Sequence, residues 1–193
     1  MIQEEFKFYK PCKLLQPYVR YYWVFSSNQM LKTYTFPIGC SQIIFHKRTP
    51  LYVPELDTTQ HRLTISGQVN FSSHLQADDD IEMIVVVFYP HTINLFLDTP
   101  ASSFYNKEVS GYDIEDKHLA ELAKQVFECE DNNHCVNLIE RWLLSRLSIR
   151  PYETTYRVRR MLAAIEQLCA APQTLITDLS STCCLGKKQF ERE

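Results

Sequence analysis

The sequence predicts an α+β protein: an N-terminal antiparallel β-barrel or sandwich, then an antiparallel helix pair, then a run of shorter helices. Three observations carry this. The first ninety of the 193 residues break into short stretches rich in Val, Ile, Thr, Tyr and Phe, the residues that suit a pleated, half-buried surface. After Tyr89 the apolar period lengthens from two residues towards the helical 3.6. A hydrophobic content of 45% with 22% charged residues describes an ordered chain long enough to bury a sizeable core.

The strand candidates are FKFY, Val19 to Phe25, KTYTF, Gln42 to His46, LYV, Arg62 to Val69 and EMIVVVFY. Turn residues punctuate them: Pro37, Gly39, Pro50, Pro54 and the run Asp78-Asp79-Asp80, which reads as a solvated turn. Tyr21, Trp23 and Phe25 alternate with Tyr22 and Val24, so one set faces the interior. The longest apolar run, Ile81 to Pro90, contains Glu82 and has the length of a buried strand, far short of a membrane span.

Pro90 opens a short helix through INLFL, and Thr99-Pro100 reads as an N-cap followed by proline at the first helical position. In KHLAELAKQVFEC, Leu119, Leu122, Ala123, Val126 and Phe127 share one face. A polar break from Glu128 to Asn133 precedes a helix over about residues 134–148. The apolar arc of that helix, Val136, Leu138, Ile139, Trp142, Leu143, Leu144 and Leu147, is wider than one face, so it meets either the β-domain or a second subunit. Leu138 and Trp142 are the candidate dimer contacts. Residues 149–156 form the expected linker, with Pro151 breaking the helix; Val158, Met161, Leu162, Ile165, Leu168 and Cys169 then mark an amphipathic helix that ends at Ala170-Ala171-Pro172.

Composition narrows the chemistry. The N-terminus, MIQEEFKFYK, has no apolar core segment, so no secretory leader is expected. Seven cysteines, an odd number without framework spacing, are expected to be thiols in a reducing, cytoplasmic setting. Cys129 and Cys135, with His134 between them, lack the spacing of a structural zinc site. Six histidines stand singly; a closed barrel gathering His46, His61 and His91 is the one arrangement that makes a metal site. There is no G-x-S-x-G, phosphate loop or dinucleotide fingerprint, so no enzyme activity, metal or cofactor is expected. Residues 1–149 hold 13 Lys+Arg against 18 Asp+Glu, a balance of −5, whereas residues 150–193 hold 7 against 5, a balance of +2. The basic excess sits in the tail.

In that tail, a helix over Ile176 to Cys183 and another from Lys187 are joined by a short turn containing Gly186, the spacing of a helix-turn-helix. Its second helix would carry Lys187, Lys188 and Gln189 towards phosphates and base edges, with Phe190 turned inward against Leu179 and Ile176. DLSSTCCLGKKQFERE resembles the DNA-binding half of the AraC family of transcription regulators. Leu179 and Ser180 stand for the Leu-Ala of its first helix, Gly186 for the Ser cap, Lys188 and Arg192 for its two arginines and Phe190 for its leucine. Cys184 occupies a turn position where that family often has Gly or Asn.

LQPYVRYYWVF (Leu15 to Phe25), FPIGCSQIIF (Phe36 to Phe45), ISGQ (Ile65 to Gln68) and FYPHTINLFLDTP (Phe88 to Pro100) resemble, in order, an uncharacterised regulatory domain that precedes such helices. The resemblance implies a cupin-like sensor or dimerisation domain over residues 1–148, β-rich to 105 and helical from 106, then the linker and an incomplete DNA-binding domain over 157–193. Lys187, Lys188, Gln189 and Arg192 are the implied DNA contacts of the intact protein, and Trp23, Phe45 and Phe88, the aromatics of family-like strands, the candidate effector pocket. The expected partners are DNA, a second copy of the chain and a small-molecule effector, with no membrane. The alternative is a cupin-like small-molecule-binding protein, or a metal-dependent enzyme, with a helical extension.

Overall fold

The computed structural model describes residues 4–192; residues 1–3, at the head of the stretch read for a leader, and Glu193, where the helix-turn-helix pattern breaks off, lie outside them. The chain divides into two compact units, one running to Ser148 and the other starting at Ile149.

The first unit holds ten described strands: β1 (Glu4–Tyr9), β2 (Val19–Ser27), β3 (Leu31–Thr35), β4 (Gln42–His46), β5 (Tyr52–Val53), β6 (Thr58–Thr59), β7 (Leu63–Ser66), β8 (Ser73–Ala77), β9 (Ile81–Phe88) and β10 (Glu108–Ser110). Every pairing is antiparallel. They form a six-stranded sheet in the order β1-β2-β9-β4-β7-β10 and a four-stranded sheet in the order β3-β8-β5-β6. The sheets do not close into a barrel, so of the two all-β forms expected the sandwich is the observed one. The β-rich part also runs past residue 105, because the three-residue strand β10 pairs with β7.

Strand β9 lies inside the larger sheet, between β2 and β4, and seven of its eight residues are at most 3% exposed. Its odd positions, Ile81, Met83, Val85 and Val87, join the core between the sheets with Ile44, Leu51 and Ala77. The even positions face the other way, where the Phe88 ring meets Phe96 at 5.2 Å. Glu82 fits this strand because it sits near its start and pairs with both Lys47 and Arg48.

Helix α1 (Lys117–Glu128) begins where the Asp116 carboxylate accepts hydrogen bonds from the backbone N–H of His118 (2.9 Å) and Leu119 (3.0 Å). It buries Leu119, Leu122, Ala123 and Val126, as the periodicity predicts, and Phe127 packs edge-on to Phe45 of β4. Helix α2 (Asn132–Ser148) starts two residues before the expected 134, because Asp131 accepts from the N–H of Asn133 and His134. Those bonds hold the Asp131 carboxyl below the usual carboxylate range. The helices expected after Pro90 and Thr99 shrink to single 3₁₀ turns, Ile93–Leu95 and Ala101–Phe104, and Pro100 itself takes the flanking position without a side-chain cap.

Arg146, near the end of α2, is 9% exposed. Its Nε–H donates to the Phe96 carbonyl (3.0 Å), and Nη2 donates to Asp98 (2.6 Å) and lies 3.6 Å from the Asp116 cap. One guanidinium therefore ties the end of α2 to the chain leaving the sheet and to the start of α1.

The second unit comprises α3 (Tyr152–Ala170), α4 (Ile176–Thr182) and α5 (Lys187–Phe190). The expected linker over 149–156 is helical from Tyr152, since Pro151 at the flanking position needs no N–H there. Ala164, Leu179, Cys183 and Leu185 form a small core, with Met161 and Phe190 against it, whereas Ile176 remains 38% exposed. After α4 the Leu185 N–H donates to the Ser180 carbonyl and the Cys184 N–H to that of Ser181, both at 2.9 Å. This is a Schellman termination, and Cys184 stands at its left-handed position with φ +53°. That explains why glycine or asparagine suits this place.

Arg146→Ala should destabilise the first unit by roughly 2–3 kcal/mol, because it strands the buried Phe96 carbonyl. Asp98→Ala, whose carboxylate is 69% exposed, should cost less than about 1 kcal/mol. Urea unfolding of the two variants checks this ordering.

Candidate functional site

A cavity of about 360 Å³ opens between the two sheets. Strand parity builds its floor: on the larger sheet Trp23 pairs with Val85, Val85 with Ile44, Gln42 with Ser66, and Ser66 with Glu108, and all six line the space. The smaller sheet supplies the roof, including Thr33, Val53 and Leu75.

One end is aromatic. Phe6 of β1 stacks on Trp23 with ring centroids 5.0 Å apart and planes 19° from parallel, and Phe8 meets Tyr21 edge-on at 5.4 Å. Tyr34 and Phe36 meet edge-on at 5.1 Å on the β3 side. Phe6 is 53% and Phe36 68% exposed, so these rings form a mouth open to solvent.

The other end is polar. The Ser66 hydroxyl donates to Glu108 Oε1 at 3.0 Å, and the Gln60 side chain also hydrogen-bonds Glu108. Gln60 Oε1 lies 2.8 Å from Nε2 of the fully buried His46. A carboxylate only accepts, so Gln60 turns its NH₂ towards Glu108 and its oxygen towards His46, and the imidazole hydrogen sits on Nε2. Glu108 Oε2 is shielded from solvent and meets no protein donor. Burial pushes the Glu108 carboxyl up to about 7, against the pull of its Ser66 and Gln60 bonds. Burial lowers His46 to about 4, against the Gln60 bond, so the ring is neutral near pH 7.

Of the three aromatics expected at an effector pocket, Trp23 lines the cavity. Phe45 and Phe88 do not. Each sits at the opposite parity of its strand, fully buried against Phe127 and Phe96 on the far face of the sheet. Glu108 and Gln60 escape the sequence reading because one lies on a three-residue strand and the other in a loop. Ser66 is inside the ISGQ stretch, which was the available signal.

His46, His61 and His91 are not gathered: among the described residues no three His, Cys, Asp or Glu side chains are placed to hold a metal ion. All seven cysteines are free thiols. Among the described residues no helix is long and apolar enough to cross a membrane. Trp142, expected at a dimer contact, is 7% exposed within its own chain, and Leu138 is half-buried; both border a shallow groove on the α1–α2 hairpin. In the second unit, Lys187, Lys188, Gln189 and Arg192 are all exposed on and beside α5, while Phe190 anchors that helix to the local core.

The shifts of Glu108 and His46 act in opposite directions on stability. Folded Glu108 holds its proton up to about 7, so its contribution is present below the unfolded value near 4.5 and is lost as pH rises through 7. Folded His46 releases its proton down to about 4, so its contribution is present above the unfolded value near 6.5 and is lost as pH falls towards 4. Between these limits the two nearly cancel. In Glu108→Gln the His46 slope is unmasked: relative to wild type, this variant should lose on the order of 3 kcal/mol between about pH 7.5 and 4.5, read by urea unfolding at each pH. Equal slopes in both proteins would contradict the burial of this carboxyl.

The sandwich and its cavity also delimit the one similarity found to known proteins. A domain of unknown function, DUF6597, matches residues 7–110, from within β1 to the end of β10. No curated protein and no solved structure matches the chain. The matched segment covers more than half of the 193 residues and includes Glu108, Gln60, Ser66 and Trp23. The chain belongs to the DUF6597 family.

Proposed function

We propose that the chain is the sensor and first DNA-contacting part of an AraC-type transcription regulator, acting as a homodimer in the cytoplasm. The observation that carries this is the α4–α5 pair. Its Schellman turn joins two short helices, Phe190 packs the second against the local core, and Lys187, Lys188, Gln189 and Arg192 are left on the outside. That division of apolar and basic residues is what a helix entering the major groove requires. The family-like motifs of the first unit and the cavity within it support an effector-binding role. An effector that binds one arrangement of the protein better than another shifts the placement of the DNA-contacting helices by that difference in affinity.

The cavity also favours a second reading, a small-molecule-binding protein whose helical extension does not touch DNA. Binding to a mixed-sequence DNA duplex, followed by fluorescence anisotropy between about 50 and 200 mM salt, separates the two. On the regulator reading this chain binds weakly, with log K falling against log salt at a slope of about −2 to −3 from the three cations. Lys188→Ala should reduce that slope by roughly one. No binding at low salt, or a slope indifferent to Lys188, favours the second reading.

A further inference from the structure

The cavity is chemically lopsided in a way that specifies a ligand. Among the described residues lining it there is no Lys, Arg or His, and Glu108 is its one acid. Arg20, outside the lining, lies over the Tyr21 ring with Nη1 3.8 Å from the Cys40 thiol. An anionic ligand therefore has nothing to pair with inside. Glu108 has its Oε1 engaged by Ser66, while Oε2, out of contact with water, meets no protein donor. A buried carboxylate with one oxygen lacking a donor is poorly compensated negative charge, which a cation in the cavity that Glu108 lines offsets. The opposite end presents Trp23, stacked with Phe6, four strands away across β9, β4 and β7. At the usual strand spacing that is on the order of 19 Å measured along the sheet. Between them Val85 and Ile44 offer an apolar floor.

We propose that the cavity binds an organic ammonium: a primary amine that pairs with the Glu108 carboxylate, carried on an elongated apolar body that ends in a ring seated at Trp23 and Phe6. The ammonium supplies the opposite charge that a desolvated carboxylate lacks, and the aromatic mouth accepts both a flat ring and the approach of a cation. The volume of about 360 Å³ is that of a site for one small organic molecule. Pairing with a cation also offsets the burial that drives the Glu108 carboxyl upward. This rests on reading the cavity as the effector site.

Three fluorescent probes of nearly one shape test it on the full chain: dansylcadaverine, which ends in an ammonium; the N-pentyl dansylamide, which ends in a methyl; and dansyl-6-aminohexanoate, which ends in a carboxylate. Dansylcadaverine should bind at least about tenfold more tightly than the other two, a charged hydrogen bond's worth, with blue-shifted emission. Glu108→Gln should abolish that advantage, with an unchanged circular-dichroism spectrum reporting that the variant is folded. Trp23→Ala should weaken all three. The ranking in the wild-type protein does not depend on any variant folding. Equal binding of the three probes, or preference for the carboxylate, overturns the ammonium assignment and leaves the cavity as an effector site of another class. Failure of all three to bind overturns the sensor reading with it.

Discussion

Strand β9 has to be buried on both faces, and the rest of the first unit is arranged to satisfy it. Eight residues with a single interruption at Glu82 cannot be left at an edge or against solvent. Antiparallel neighbours β2 and β4 take its hydrogen bonds, the smaller sheet covers its odd positions, and Phe96 and the helical layer cover the even ones. Because successive side chains alternate, the same strand is at once a cavity floor through Val85 and a foundation for helices through Ile84 and Phe88. A register slip of one residue would exchange these roles and bring the larger Phe88 into the cavity.

Within this apolar frame a short polar line, His46 to Gln60 to Glu108, is the exception. Burial of two titratable groups is unfavourable one at a time. Here one is kept neutral and the other is held by two donors, and their preferences oppose each other along the pH scale. The amide of Gln60 makes this work, since its two ends distinguish an imidazole N–H from a carboxylate. Replacing it by a hydrocarbon of similar size would leave both neighbours short of a partner.

Most of the fold is legible in the sequence, and the reasons it stops being legible are local. Long, strongly patterned segments such as Val19 to Phe25, Ile81 to Phe88 and Lys117 to Glu128 declare their type through periodicity. Very short ones do not: β10 has three residues and lies in a stretch that reads as the start of the helical region, so its Glu108 goes unnoticed. Whether two sheets close into a barrel or stack as a sandwich depends on which strands share an edge, which pattern alone does not encode. At the site, the aromatic content of a strand points equally to Trp23, which lines the cavity, and to Phe45 and Phe88, which lie on the far face of the sheet. Applied across strands through their pairing, alternation separates them, but the pairing belongs to the structure. A polar line drawn from a strand end, a loop and an edge strand leaves no periodic trace at all.

The mouth of the cavity depends in part on β1, an outermost strand that pairs with β2 alone. Its rings, Phe6 and Phe8, close one side of the opening. Fraying of this strand breaks one ladder and leaves β2, β9, β4, β7 and β10 joined, so the width of the opening can vary by local loosening while the core stays shut. The side of the opening that Phe6 and Phe8 close is thus held to the rest of the sheet by one of its two outermost ladders.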